Sequence, residues 1–538
     1  MNSQDFNFET TFKLAIESHK KNNFDEASNY YEKILDNNPE NFDANFYFGT
    51  LNLQTENFSK ACNLLNKAIE IKPNIPEAHN NLGIAYDNLE EIDKAKICFN
   101  KSIKLNPNYV EAYLNLGKLY TKIGEIEKSE KFYNDAIAIN PKYFNAYNNL
   151  MNLFEKTNQN QKLKKIIILA EQHFKNHAVV KLFYGFYLFK TQNFLDAIKN
   201  LEEIKFDENE FNREMLRSFV LARCYDQIDN PEKAFLYFNK RNKLDLKHKS
   251  NDIDKHKAQK IVNDRKNFFN ENEINKWSIL KSKNKYETPI FLVGFQRSGT
   301  TLLENILRSH NSIEVLEEKP IVGNFVTSIN QKINNNLSNL KNLDEENLIE
   351  FRKIYFDFRK KYIVKKNNSK IYIDKMPLNI IHAGEIFRIF PNAKFIVTLR
   401  HPHDCVLSCF KQNFKLNNAN ANFLDLKDAA NFYNSVMTLW EQYLKVFKIN
   451  HHIIKYEDIV LNFEKSVQKV LDFLELPWSN DVLEFYKKAQ NRKRISSSSY
   501  DQVIKPIYSE SINNWKKYKK EMSEIIPLLK YWTDKFKY

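Results

Sequence analysis

The feature that most restricts what this chain can fold into is a register: Pro39, Pro73, Pro107 and Pro141 stand 34 residues apart. Ala44, Ala78, Ala112 and Ala146 keep the same interval, as do Gly49, Gly83 and Gly117, and Ala27, Ala61 and Ala95 with Ser129 in the next place. Four columns on one period mark a stack of small units, none of which can bury its apolar face alone. Segments such as EAHNNLGIAYDNLEEIDKAKICFNKSIKLNP read as helix, short turn, helix. Small residues let the paired helices approach, with Gly83 expected against Ala95. Each proline closes a second helix, because it lacks an N–H and disfavours helix in the residue before it.

This pattern resembles the tetratricopeptide repeat, over roughly residues 8–248. Beyond Lys142 the columns thin: residues 143–176 and 177–209 keep the length, with Ala146, Gly185 and Ala197, but lose the prolines. Ala222 and Ala234 echo a last pair of helices. The resemblance implies an all-α superhelix whose concave surface takes a protein or peptide, possible acceptors included; a spacer or dimerisation module is the other reading. Residues 249–288 are polar and lysine-rich and are expected to form a helical connector.

The net charge of +14 is unevenly placed. Residues 1–250 carry 34 basic and 34 acidic side chains, and the remainder carries 47 and 33. A basic second half suits an anionic ligand, although a solvated lysine-rich face has the same composition. With 42% hydrophobic and 14% aromatic residues, wholesale disorder is excluded. Five cysteines without a CxxC pair argue against a disulfide framework or a zinc site. The segment MNSQDFNFET lacks a basic stretch followed by an apolar run, and no stretch of 18 apolar residues occurs. The expectation is a cytoplasmic protein with no membrane span.

After Pro289 the character changes. Ile290–Val293 reads as a strand, GFQRSGT as a glycine-containing loop, and the residues that follow as an amphipathic helix with Leu302, Leu303, Ile306 and Leu307 on one side. Such a loop offers backbone N–H groups and a helix N-terminus to an anion. The spacing Gly294-x4-Gly299-Thr300-Thr301 copies the phosphate loop of nucleotide hydrolases, but Thr300 stands where their lysine must be, and a cation appears earlier, at Arg297. Triphosphate and Mg²⁺ are poorly served by that exchange. Lys394–Leu399 reads as a buried strand with Arg400 at its carboxyl end, where open α/β sheets bind ligands, and Ser408 lies two helical turns on.

These segments resemble the sulfotransferases that use 3′-phosphoadenosine-5′-phosphosulfate (PAPS), in particular the protein-tyrosine sulfotransferase-like branch with its R-S-G-T-T loop, over roughly residues 288–520. The resemblance implies an α/β domain, 289–538, with a central parallel sheet, and PAPS as co-substrate without a metal. It implies that Arg297, Ser298, Gly299, Thr300 and Thr301 bind the 5′-phosphosulfate, and that Arg400 and Ser408 grip the 3′-phosphate. Glu318, second of the pair Glu317-Glu318, falls on the general base, and Lys375 of Lys-x-Pro377 lies beside the sulfuryl group. In SSSSYDQVIKPIYSESINNWKKY, Ser499 falls near the transferring group, and Lys505, Trp515 and Lys516 fall in a closing loop against the nucleotide. A family lysine before that tryptophan is Asn514 here. The fusion to repeats resembles the soluble sulfotransferases of bacteria.

A hydroxyl acceptor with an ordinary value near 10 needs a base to attack sulfur, so a positioned carboxylate fits this chemistry. The acceptor implied is a protein tyrosine; a glycan or small phenol stays open, as does a repeat scaffold with a vestigial nucleotide-binding domain. His401, His403, His451 and His452 lack the carboxylate spacing of a metal site. No nucleic-acid recognition motif accompanies the basic half.

Overall fold

The computed structural model describes residues 7–277, 286–363, 371–490, 506–507 and 509–538. The chain divides into two compact units, Met1–Asp207 and Glu208–Tyr538.

The first unit is a superhelix of antiparallel helix pairs, from Phe8–Lys20 with Phe24–Asn37 through to Ala178–Lys190 with Phe194–Glu202. The four periodic prolines act through the residue in front of them. Asn38, Lys72, Asn106 and Asn140 are all drawn out of the helix, with ψ between 87 and 97°. The small-residue columns are packing sites, with a partner different from the one expected. A Cβ on Gly83 would lie 2.6 Å from the ring of Phe99, one turn beyond Ala95, and Gly49, Gly117 and Gly185 meet Leu65, Tyr133 and Leu201 in the same way. Each glycine leaves room for a large side chain of its own partner helix.

The second unit is α/β. Its sheet contains β1 (Ile290–Gly294), β2 (Ile313–Glu317), β3 (Ile371–Lys375), β4 (Lys394–Leu399) and β5 (Asn450–Lys455). All pairings are parallel, in the order β2-β3-β1-β4-β5. Ile290 and Leu292 of β1, Val315, Ile373, Ile396 and Ile454 form one core with Leu303, Ile306 and Leu307, the helix face read from the sequence. β1 is flanked by β3 and β4, so the chain winds away from it in both directions. That reversal opens a crevice at the carboxyl ends of the strands.

The boundary differs from the one that the repeat pattern suggested. Helices Phe211–Gln227 and Pro231–Lys247, repeat-like in sequence, cluster with the second unit. Arg241, almost wholly buried, donates to Gln412 O at 2.7 Å, Asn242 Nδ2 donates to Phe410 O at 3.2 Å, and the Phe235 and Phe410 rings stack at 5.1 Å. Residues 249–277 are likewise more than a connector. Helix Lys255–Phe268 lies along Leu426–Val446, with Gln259 Nε2 donating to Ser435 Oγ at 2.6 Å and buried Arg265 paired with buried Glu385. All five cysteines are buried free thiols. Among the described residues no helix is long and apolar enough to cross a membrane.

Candidate functional site

The loop between β1 and helix Thr300–Ser309 is built for close approach. A Cβ on Gly294 would come within 2.7 Å of Ser298 Oγ and of Thr398 O and Oγ1 on the neighbouring strand, so only glycine fits. Gly299 has φ 102° and lies against the Tyr456 ring, where a Cβ would be 3.0 Å from Cδ2. Ser298 is turned inward, 2% exposed: its hydroxyl is 2.7 Å from both Phe295 O and Thr398 Oγ1, and its N–H also goes to Phe295 O. Ser298 therefore shapes the loop. Two thiols missed by sequence reading hold it from the far side, Cys405 at 2.9 Å and Cys409 at 3.3 Å from Gln296 O. Thr300 and Thr301 open the helix, where the first N–H groups have no partner within the helix.

Arg297 has φ 67°, unusual for a residue with a side chain, and its Nε donates to Ser408 Oγ at 3.0 Å. Arg297 O accepts from Arg400 Nη1 at 3.3 Å. Three residues spread over more than 100 positions thus meet at the ends of β1 and β4. The Arg400 guanidinium lies 4.9 Å from the Tyr456 ring centre and donates through Nη2 to Ser511 O at 2.7 Å. Its Nε is buried without a hydrogen-bond partner, and its charge also acts on the buried Asp404 carboxylate. A guanidinium with carbonyl neighbours, an aromatic face and an unsatisfied Nε fits an anionic ligand.

On the other side of β1, Lys375 ends β3 with its side chain wholly buried. Its Nζ is 2.6 Å from Glu318 Oε1, 3.4 Å from Glu304 Oε2 and 3.5 Å from Thr301 Oγ1. Glu318 follows β2 in the left-handed region, φ 47°, with its N–H donating to Lys375 O at 2.8 Å. That backbone turn separates the two adjacent glutamates: Glu317 is buried at the strand end, whereas the Glu318 side chain keeps 33% exposure beside Lys375. Glu304 was missed by sequence reading, because within its helix it looks like an ordinary i,i+4 partner of Arg308.

The segment carrying Trp515 and Lys516 is held by Asp404, also missed. Its carboxylate accepts from the N–H groups of Asn513 and Trp515, each at 2.7 Å, and burial raises its pKa. Trp515 stacks on His403 at 4.6 Å, and exposed Lys516 lies near enough to His401 to affect its titration. Burial, then the charges of His403, Lys516 and Arg400, push His401 down to about 4, so it is neutral at pH 7. The backbone N–H of His401 donates to Glu457 Oε1 at 2.9 Å, and its ring Nδ1 accepts from the His403 N–H at 3.3 Å. Ser499 and Lys505 lie outside the described residues.

Residues 289–480 match the sulfotransferase family model, a span that stops short of Ser499, Lys505 and Lys516. Tetratricopeptide-repeat models match residues 10–41, 49–89, 76–109 and 110–143. An uncharacterized protein of Aquifex aeolicus is 30% identical over 247 residues, 45% of this chain and 32% of that one. Protein-tyrosine sulfotransferase 2 of Gallus gallus is 26% identical over 42% of this chain and 62% of its own length. Protein-tyrosine sulfotransferase 1 of Homo sapiens is 27% identical over the same shares, 42% and 62%. The chain therefore spans less than two thirds of each of these relatives. With its repeats and its matched α/β sheet domain, the chain is a tetratricopeptide-repeat protein carrying a sulfotransferase-family domain.

Proposed function

We propose that the second unit transfers a sulfuryl group from PAPS to an acceptor hydroxyl, with a protein tyrosine as the acceptor. The observation that carries this reading is the pair of bonded groups that the β1 loop and its helix bring to the strand ends: Glu318, Lys375 and Thr301 on one side, and Arg297, Ser408 and Arg400 on the other. Arg400 and Ser408 take the 3′-phosphate, and Arg297 with the Gly299, Thr300 and Thr301 amides takes the 5′-phosphosulfate in the loop that Ser298 shapes. Glu318 accepts the hydroxyl proton as the acceptor oxygen bonds to sulfur. The bond from sulfur to the bridging oxygen breaks, and its electron pair leaves on the bisphosphate, where Arg297 and Lys375 stabilise it. Ser499, Lys505 and Lys516 join this site by resemblance. Tyrosine as acceptor is supported by the names of two relatives and by the basic second half, which suits an acidic peptide. The repeats are assigned to binding that acceptor or a partner protein, and the setting is cytoplasmic.

Adenosine 3′,5′-bisphosphate is expected to raise the melting temperature far more than ATP-Mg²⁺, because the loop has threonine at the lysine position. At 100 times its dissociation constant it should contribute about 2.7 kcal/mol. A larger shift with ATP would reject the assignment. Arg400→Ala is expected to weaken bisphosphate binding by about 1.5–3 kcal/mol, and to erase the preference over adenosine 5′-phosphate. Titration calorimetry with both nucleotides checks it: an unchanged preference would remove Arg400 from the 3′-phosphate.

A further inference from the structure

Glu304 lies in the middle of helix Thr300–Ser309, and neither its side chain nor that of Lys375 has any exposure. One carboxylate oxygen, Oε1, accepts from Arg308 Nη2 at 3.0 Å, and Arg308 Nη1 lies 3.7 Å from Glu314 on β2. The other, Oε2, is 3.4 Å from Lys375 Nζ, whose second carboxylate is Glu318 at 2.6 Å. Charges therefore alternate from Glu314 through Arg308, Glu304 and Lys375 to Glu318.

Stability does not explain this arrangement. Removing two charges from water costs about as much as their attraction returns, and an apolar pair of equal volume often serves as well. The proton transfer does explain it. When Glu318 takes the acceptor proton it becomes neutral, and Lys375 loses its nearer counter-ion while still shut away from water. A buried ammonium without a partner is strongly unfavourable, and that penalty would add to the barrier. Glu304, fixed from behind by Arg308, keeps a negative charge beside Lys375 throughout the step.

We infer that Glu304 is a positioning residue of this site, holding the Lys375 ammonium in place as Glu318 is protonated; the inference rests on the sulfuryl-transfer reading above. The test uses the full chain and radiolabelled PAPS. Glu304→Gln should lower kcat about 100-fold, with KM for PAPS and bisphosphate affinity within about twofold of the parent. Glu304→Asp, which retains the charge, should recover most of that loss, and it serves also if the glutamine variant folds poorly. The decisive comparison is made in a Glu318→Gln background. There Lys375 is balanced by Glu304 alone from the start, so adding Glu304→Gln should lower the residual rate by well over the factor it costs the parent. A structural role would subtract the same factor in both backgrounds, and that result, or an aspartate variant as slow as the glutamine one, overturns the inference alone. A parent with no sulfuryl transfer overturns the functional reading and this inference together.

Discussion

Glu318→Gln is expected to lower turnover by about 10²–10⁴, the usual contribution of a positioned general base, while leaving bisphosphate affinity nearly unchanged. The substitution preserves size, and the amide oxygen can still accept from Lys375, so the 2.6 Å contact has a neutral substitute. What disappears is the ability to take a proton. Binding should survive because Arg297, Arg400 and Ser408 sit across the sheet on other elements. Glu317→Gln is the control: it alters the buried neighbour at the end of β2, on the other side of the turn made at Glu318. Steady-state rates and calorimetry on both variants decide the matter. Loss of turnover in Glu317→Gln with Glu318→Gln intact would move the base by one residue.

Arg265→Leu is expected to destabilise the second unit by about 3–5 kcal/mol, the cost of leaving a buried charge without its partner. Glu385 is completely buried under helix Lys255–Phe268, and its pair with Arg265 joins that helix to the sheet domain. Burial alone would raise the Glu385 carboxyl; the Arg265 charge and the His382 contact outweigh it and hold the group down to about 2. A carboxyl lowered on folding contributes stability that is fully present above its ordinary value of about 4.3 and is lost as pH falls toward 2. Urea denaturation at pH 7 should therefore show the full difference between parent and variant, and the gap should narrow below about pH 4. A gap independent of pH would assign the loss to packing.

Much of the fold was legible because it is written locally. The prolines announce extended residues at Asn38, Lys72, Asn106 and Asn140, and Leu303, Ile306 and Leu307 announce the buried face of the loop's helix. β2 and β3 were not read as separate strands, since IEVLE and IYIDK are short and interrupt their apolar residues with charged ones. In the candidate site, Arg297, Lys375, Glu318 and Arg400 were nameable through the family resemblance. Their connections were not: Lys375 reaches Glu318 across 57 positions and Arg297 reaches Ser408 across 111. Glu304 and Asp404 have no sequence signal, because each acts through a partner distant in the chain. The grouping of helices Phe211–Gln227 and Pro231–Lys247 with the second unit has no sequence signal for the same reason. Ala222 and Ala234 carry the repeat's small-residue habit, while Arg241, Asn242 and Phe235 carry the attachment to residues near 410.

That attachment defines what can be exchanged between chains of this kind. Asp226, in helix Phe211–Gln227, accepts from Lys411 at 2.6 Å and from Tyr518 OH at 2.5 Å, and Tyr518 closes the short turn that presents Trp515 and Lys516. A transplant cut at residue 248, where the repeats fade, would strip that support and uncover Phe410. A cut between Asp207 and Glu208 carries the helix pair along with the sheet. The portable piece of this protein is longer than the segment that matches the sulfotransferase family, and it includes two helices that still look as though they belong to something else.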